Sequence, residues 1–406
     1  METENNILVI APYVYICQEG MDFLLYNTLN GEYIMGDNVE VVNIVKILLK
    51  PYSQWIYKFQ SPVMMSTVVK DFVKAVEQKN MGRYLVGYSC NTPIQTYPIQ
   101  NLQYDVKKYR DKAYKIGDNV VEYLHELSIY ANNDCENTCL QCSALYKQHL
   151  FCHKGALSQS IDLNNLERFL TSIRLPSLYR INLLGVYLSK FNLLNELLVL
   201  LQSLNVPVYC FINYTWVQDV EDLLRKPFNP IILVDMSMYK MGQAFFTSKD
   251  IQYDFIVSNE LELEQANRLI VDGGLSKSRI LPYYKKKCYG FLKNNVFIDK
   301  SDIFLRTHTF RDLYRNATLN SHYFGKLTIM ADGQIYADVA KPALGSIAEH
   351  TLSELIWKEL ESGHSWLRTR NYQKPCKDCV LRDFCPPTSG IEAAMRKNNL
   401  CFKSKR

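Results

Sequence analysis

No stretch of this chain approaches the ~18 uninterrupted apolar residues that a membrane helix requires. The longest candidate, Leu193 to Leu204, is broken by Asn195, Glu196, Gln202 and Ser203. The N-terminus, Met1-Glu2-Thr3-Glu4-Asn5-Asn6, lacks the basic start and apolar run of a secretory signal. These two absences point away from the membrane and from export, so the expected setting is a reducing cytoplasm. Charge of one sign is also scarce, since 46 Lys and Arg face 41 Asp and Glu for a net +5. The basic residues are spread out, and the short runs Lys285-Lys286-Lys287 and Lys403-Ser404-Lys405-Arg406 read as solvated surface. Nucleic acid is therefore not the expected partner. The few histidines, among them His125, His308 and His364, show no pairing that suggests acid–base catalysis, and there is no repeat or low-complexity tract.

Cysteine is what remains conspicuous. Of 12 in the chain, seven fall into two clusters far apart in sequence. Cys135, Cys139 and Cys142 are separated by gaps of three and two residues; Cys376 and Cys379 are followed by Cys385 after five residues and later by Cys401. In a reducing compartment such sets read as metal ligands rather than disulfides. Thiolates are soft ligands for iron–sulfur clusters or zinc, and spacing alone leaves the metal open. Cys17, Cys90, Cys210 and Cys288 stand alone in apolar or aromatic surroundings and are expected to pack in the core.

At 406 residues the chain has room for two or three domains. Residues 1–90 read as a small α+β unit with strands near Ile7–Ile10, Tyr13–Cys17 and Phe23–Tyr26. Helices follow over Val39–Leu49 and Pro62–Gln78, the second with Val63, Val68, Phe72, Val73 and Val76 on one face. Residues 91–118 are polar and read as a linker. From 119 to 300, strands alternate with helices, beginning with a strand over Val121–Tyr130 that runs into the first cysteine loop and including another over Arg180–Leu188. Such alternation predicts an α/β fold with a parallel sheet, open or closed into a partial (βα) barrel, and function at the C-terminal strand ends. Residues 301–406 break the alternation: Leu327–Met330, Asp332-Gly333 and Gln334–Tyr336 form a hairpin signal, and the helix Thr351–Glu361 precedes the second cysteine cluster.

This succession resembles the radical S-adenosylmethionine (SAM) proteins with a C-terminal SPASM domain. Within them it is most similar to the pseudo-radical-SAM/SPASM proteins of peptide-maturation systems of the GG-Bacteroidales type, through Asn132 to Gln148, Phe324-Gly325-Lys326-Leu327-Thr328-Ile329 and Asn399-Leu400-Cys401. The resemblance implies a partial βα barrel in which Cys135, Cys139 and Cys142 hold a 4Fe-4S cluster, with one iron open to S-adenosylmethionine. It also implies a SPASM-like domain in which Cys376, Cys379, Cys385 and Cys401 hold an auxiliary 4Fe-4S cluster. Gly325, Ala337, Asp338 and Ser389 stand where the family has further thiols, so a second auxiliary cluster is expected to be absent. The family's acidic residue for the methionine ammonium is missing too, the segment here being Leu184-Gly185-Val186-Tyr187; Gly185 and Tyr187 are the residues placed at that cofactor. Cys152 or His153 is a candidate fourth ligand that would close the first cluster.

The first ninety residues resemble winged-helix-like peptide-recognition domains, which implies a precursor-peptide leader added as a strand near Val9 to Leu25. Three readings stay open. The chain is a radical SAM peptide-modifying enzyme of low or altered activity, or a degenerate partner that binds the leader and assists an active maturase. The third reading is a zinc-binding, nucleic-acid-interacting protein.

Overall fold

The computed structural model describes residues 5–59, 65–88, 119–135, 142–172, 174–215, 223, 226–239, 251–397 and 399–401. Cys90, Cys139, the linker 91–118, Pro62 to Met64 and the basic tail Lys403–Arg406 lie outside them. The chain divides into two compact units, one from Met1–Tyr104, Ile298–Leu319 and Arg368–Pro387, the other from Asp105–Phe297, Asn320–Leu367 and Thr388–Arg406.

In the first unit, β1 (Asn5–Ile10) is the centre of a three-stranded sheet. A meander of β2 (Val14–Glu19), β3 (Asp22–Asn27) and β4 (Tyr33–Gly36) follows. The antiparallel flanks of β1 are β5 (Ile56–Phe59) and β6 (Gly82–Tyr88). Both sides of β1 and of β3 are thus taken, and among the described residues of Val9 to Leu25 β2 is the strand at a sheet edge. Helix α1 (Val39–Leu48) starts where the Asn38 side chain accepts from the Glu40 and Val41 N–H groups, and α2 (Thr67–Gln78) where Ser66 caps Val69. The buried stripe of α2 is Val69, Phe72, Val73 and Val76, whereas Val68 is 43% exposed. The expected face is corrected by one position, because 69, 72, 73 and 76 follow helical spacing and 68 lies about a quarter turn away.

The second unit is a mixed α/β structure around one nine-stranded sheet. Six strands run parallel, each beside its predecessor: β7 (Glu126–Tyr130), β8 (Arg180–Leu184), β9 (Val208–Asn213), β10 (Asn229–Asp235), β11 (Gln252–Val257) and β12 (Ser278–Pro282). Beyond β7 lie β13 (Lys326–Ile329), parallel to it, then β14 (Gln334–Tyr336) and β15 (Gly345–Ser346), both antiparallel. Right-handed crossovers in a monotonic strand order place the connecting helices on one face. These include α3 (Leu163–Thr171), α4 (Leu194–Ser203) and α5 (Glu260–Gly273). The hairpin turns at Asp332-Gly333, with Gly333 at φ 78.

Two strand readings shorten. Val120–Tyr123 is a 3-10 turn, so the strand begins at Glu126, and β8 ends at Leu184 before a 3-10 turn over Leu188–Lys190. Alternation along the strands supplies two apolar cores. Ile181, Leu183, Cys210, Ile212, Ile232 and Val234 pack in the core shared with helices α3 to α5. Leu184, Phe211, Ile231, Leu233 and Ile256 form a second cluster with Cys135 and Cys152. Strands buried on both faces read as unbroken apolar runs, which is why they were visible in the sequence.

Candidate metal centres

The first cysteine loop leaves the C-terminal end of β7, where Asn132 and Asn133 fix its path. Asn132 Oδ1 accepts the Val186 N–H at 2.5 Å and its Nδ2 donates to the Val186 carbonyl at 2.9 Å, joining the loops after β7 and β8. Asn133 Oδ1 accepts the Gln159 N–H at 2.8 Å, and its carbonyl accepts the Gly155 N–H at 3.2 Å. Cys135 follows, buried, and Cys142 opens the short helix Cys142–Leu145. The next segment is held to the end of β12 by Gln148, which donates to the Tyr284 carbonyl and accepts its N–H, and by His149 Nε2 on the Pro282 carbonyl at 2.8 Å.

Phe151 to Lys154 folds back over this loop. The Tyr130 hydroxyl donates to the Phe151 carbonyl at 2.9 Å, and Cys142 Sγ accepts the Lys154 N–H at 3.2 Å. Burial pushes the Cys142 thiol up, the Lys154 hydrogen bond pulls it down, and negative charge at Cys135 pushes it up again. Two neighbouring thiolates in such a place are favoured by a cation between them, as a metal site provides. Of the two candidate fourth ligands, Cys152 is buried with its Sγ 3.6 Å from Asn213 Nδ2. His153 stacks on Tyr146 with ring centroids 4.1 Å apart and has a buried Nδ1 with no hydrogen-bond partner.

Gly185 has a packing reason for being glycine. A Cβ there would lie 2.4 Å from Leu188 Cδ2 and 2.8 Å from Asn132 Oδ1. Tyr187 takes up the left-handed conformation at φ 44, with Lys190 Nζ 4.9 Å from its ring centre.

Cys376, Cys379 and Cys385 belong to the first unit and Cys401 to the second. The Cys376 carbonyl accepts the Cys379 N–H at 3.0 Å, and Arg370 spans the loop from Pro386 O at 2.6 Å to Cys376 Sγ at 3.6 Å. Arg382 binds the Lys377 carbonyl and Glu19, while Asp383 Oδ2 accepts the Tyr15 hydroxyl at 2.5 Å. Burial pushes the Asp383 carboxyl up. The loop is thus tied to β2 by charged and polar contacts.

Thiol chemistry suits an iron–sulfur cluster in both loops. Cys139 is outside the described residues, and among those described no three His, Cys, Asp or Glu side chains gather to hold a metal ion. The positions where the sequence resemblance expects further thiols have local roles. Gly325 sits at φ 77, where a Cβ would meet the Tyr123 carbonyl oxygen at 2.7 Å. Ser389 forms a capping box with Glu392 at the helix Gly390–Met395.

The sequence reading missed a charged group on the sheet's inner face: Glu126, Arg180, Asp254, Arg279 and Lys326 line a cavity of about 300 Å³ in the second unit. The signal was available in Glu126-x-Ser128-x-Tyr130, where alternate residues share a face.

No protein-family model and no curated protein matches the chain. No helix among the described residues is long and apolar enough to cross a membrane. Among solved structures, the chain is similar to Streptococcus suis SuiB bound to S-adenosylmethionine, at 13% identity over 97% of this chain and 98% of that one, TM-score 0.45. Streptococcus suis SuiB bound to precursor peptide SuiA matches at 13% identity, with the same coverage and TM-score 0.42. Methylornithine synthase (PylB) matches at 11% identity over 47% of this chain and 66% of that one, TM-score 0.29.

Proposed function

We propose that this chain is an iron–sulfur protein of radical SAM/SPASM type that takes part in the maturation of a ribosomally made peptide, with a partial βα barrel as its second unit. The observation that carries this reading is that Cys135 follows the C-terminal end of β7, in a singly wound parallel sheet, with Cys142 opening the next helix. Cys135, Cys139 and Cys142 would hold one 4Fe-4S cluster, and Cys376, Cys379 and Cys385, with Cys401 on the sequence reading, the other. When bound, the first cluster supplies the electron that cleaves S-adenosylmethionine. The chain's own contribution is to bury the thiols, fix the loop through Asn132 and Asn133, and shield it with Phe151 to Lys154. The precursor peptide is the proposed partner.

A second reading, the degenerate partner of an active maturase, draws on the inner apolar cluster. Leu184, Val186, Leu233, Ile256 and Tyr283 pack with Cys135 and Cys152 at the cysteine-bearing end of the strands, and none offers a charge to an ammonium group. One experiment separates the two. Anaerobically reconstituted, reduced protein is incubated with S-adenosylmethionine and assayed for 5'-deoxyadenosine, iron and acid-labile sulfide. Two clusters and slow 5'-deoxyadenosine release that Cys142→Ala abolishes are expected. Full clusters without release, with a precursor peptide present, would favour the partner reading over the enzyme, and stoichiometric zinc without sulfide would overturn both.

A further inference from the structure

The inner cavity of the second unit carries unequal charge. Its walls include four cations, Lys147, Arg180, Arg279 and Lys326, against three carboxylates, Glu126, Asp254 and Asp338. The carboxylates are engaged. Asp254 is gripped by Arg279, with Nε 2.8 Å from Oδ1 and a second contact from the guanidinium to Oδ2. Glu126 accepts from Asn182 Nδ2 at 2.6 Å and lies 3.6 Å from Lys326 Nζ, and Asp338 accepts the Ala340 N–H at 2.9 Å.

Arg180 is different. It is the first residue of β8, its Nε donates to Asn182 Oδ1 at 2.7 Å, and its guanidinium carbon sits 4.0 Å from the centre of the Tyr209 ring. One edge and one face are thereby fixed, yet it forms no ion pair with any described residue. The terminal N–H groups of this side chain remain for a ligand in the cavity. A guanidinium held by stacking and one hydrogen bond is pre-organised to take a carboxylate through two parallel bonds. His322 lines the cavity, and enclosure by protein first, then Lys326 and His149, push it down to about 4; burial also lowers His149.

We infer that this cavity is an anion-binding subsite in which Arg180 receives a carboxylate of the peptide substrate, either an Asp or Glu side chain or the chain's C-terminal carboxylate. The assignment of a peptide as the ligand rests on the function proposed above; the anion preference rests on the cavity alone. Two cations of the described wall stand outside ion pairs, Arg180 and Lys147, the latter with its Nζ 5.6 Å from the Tyr146 ring centre, fewer than the cluster of cations and backbone N–H groups that a polyphosphate draws on.

The test uses the full chain and three fluorescent hexapeptides of otherwise identical neutral sequence: one with a central Glu and an amidated C-terminus, one with Gln and a free C-terminus, and one with Gln and an amidated C-terminus. Fluorescence anisotropy should show at least one carboxylate-bearing peptide binding about tenfold or more tightly than the neutral one, the worth of a charge-assisted pair. Whichever of the two is preferred identifies the source of the carboxylate. Arg180→Gln should erase the preference, and Arg180→Lys, which keeps the charge without the fork, should restore part of it. Circular dichroism and thermal unfolding check that the variants fold, and if Arg180→Gln does not, Arg180→Lys decides alone by a reduced preference. Equal binding of all three peptides, absence of binding, or a preference untouched in a folded Arg180 variant would overturn the inference. Because this assay reads binding, its failure leaves the iron, sulfide and 5'-deoxyadenosine results standing.

Discussion

Arg370 is 5% exposed, and a guanidinium that deep is retained only where its donors are used. Here they reach Cys376 Sγ and the carbonyl of Pro386, the residue after Cys385, so one side chain holds both ends of the cysteine loop. Arg370→Leu removes these bonds from a charged donor, a loss of about 1–3 kcal/mol measurable by urea unfolding of the metal-free chain. Hydrogen bonds to ligand atoms also orient a metal site, and their removal typically lowers metal affinity about 10–100-fold. Reconstituted Arg370→Leu should therefore lose iron to a chelator faster than the parent by a factor of that order, with Arg370→Lys intermediate. Iron release at the parent rate would show that the contact supports the loop without influencing its ligands.

The junction of two strand ends depends on one amide in the same way. Both backbone groups of Val186 bond to Asn132, and Val186 is 1% exposed, so no water replaces the side chain when it is removed. Asn132→Val should destabilise the protein by about 1–3 kcal/mol, read as a lower urea midpoint with an unchanged slope. A midpoint equal to the parent's would mean that the loops after β7 and β8 hold their places without the amide. Much of this level was legible in sequence: the strands of the parallel sheet are buried on two faces, and Asp332-Gly333 encodes its hairpin in two residues. Arg370 anchors the segment before Cys376, which nothing in the local pattern marks. Val68 was misplaced because a helix with valines at 68, 69, 73 and 76 offers two overlapping stripes, and only packing chooses between them. The flanks of β1 were invisible for a related reason, since β5 and β6 pair with it from about fifty and eighty residues away, and local pattern carries no information about register at that separation. The charged cavity escaped because its members come one or two to a strand and converge only when the sheet forms.

Across the whole molecule, neutral imidazoles set the response to acid. His308 is 2% exposed, its Nε2 donates to the Ile303 carbonyl at 2.8 Å, and its Nδ1 is buried without a partner, so a second proton would have no acceptor. Burial holds His308, His149 and His322 below the ordinary imidazole value of about 6.5, and His322 is pushed down to about 4. Above the unfolded value both states are neutral and these groups leave stability at its full level. As the pH falls from about 6.5 toward about 4, the unfolded chain binds protons that the folded chain refuses, and stability declines. Asp235, Glu359 and Asp383 act with the opposite sign, because burial raises their carboxyls and the folded state protonates first as the pH falls. Between about pH 7.5 and about pH 5.5 the histidine contribution should lower the melting temperature, by about 1–2 °C for each kcal/mol of linkage. His308→Gln, which keeps a donor for the Ile303 carbonyl but cannot titrate, should flatten that slope in calorimetric scans. A melting temperature that stays constant or rises over this interval, or a slope unchanged in His308→Gln, would mean that the buried imidazoles are not what couples this fold to pH.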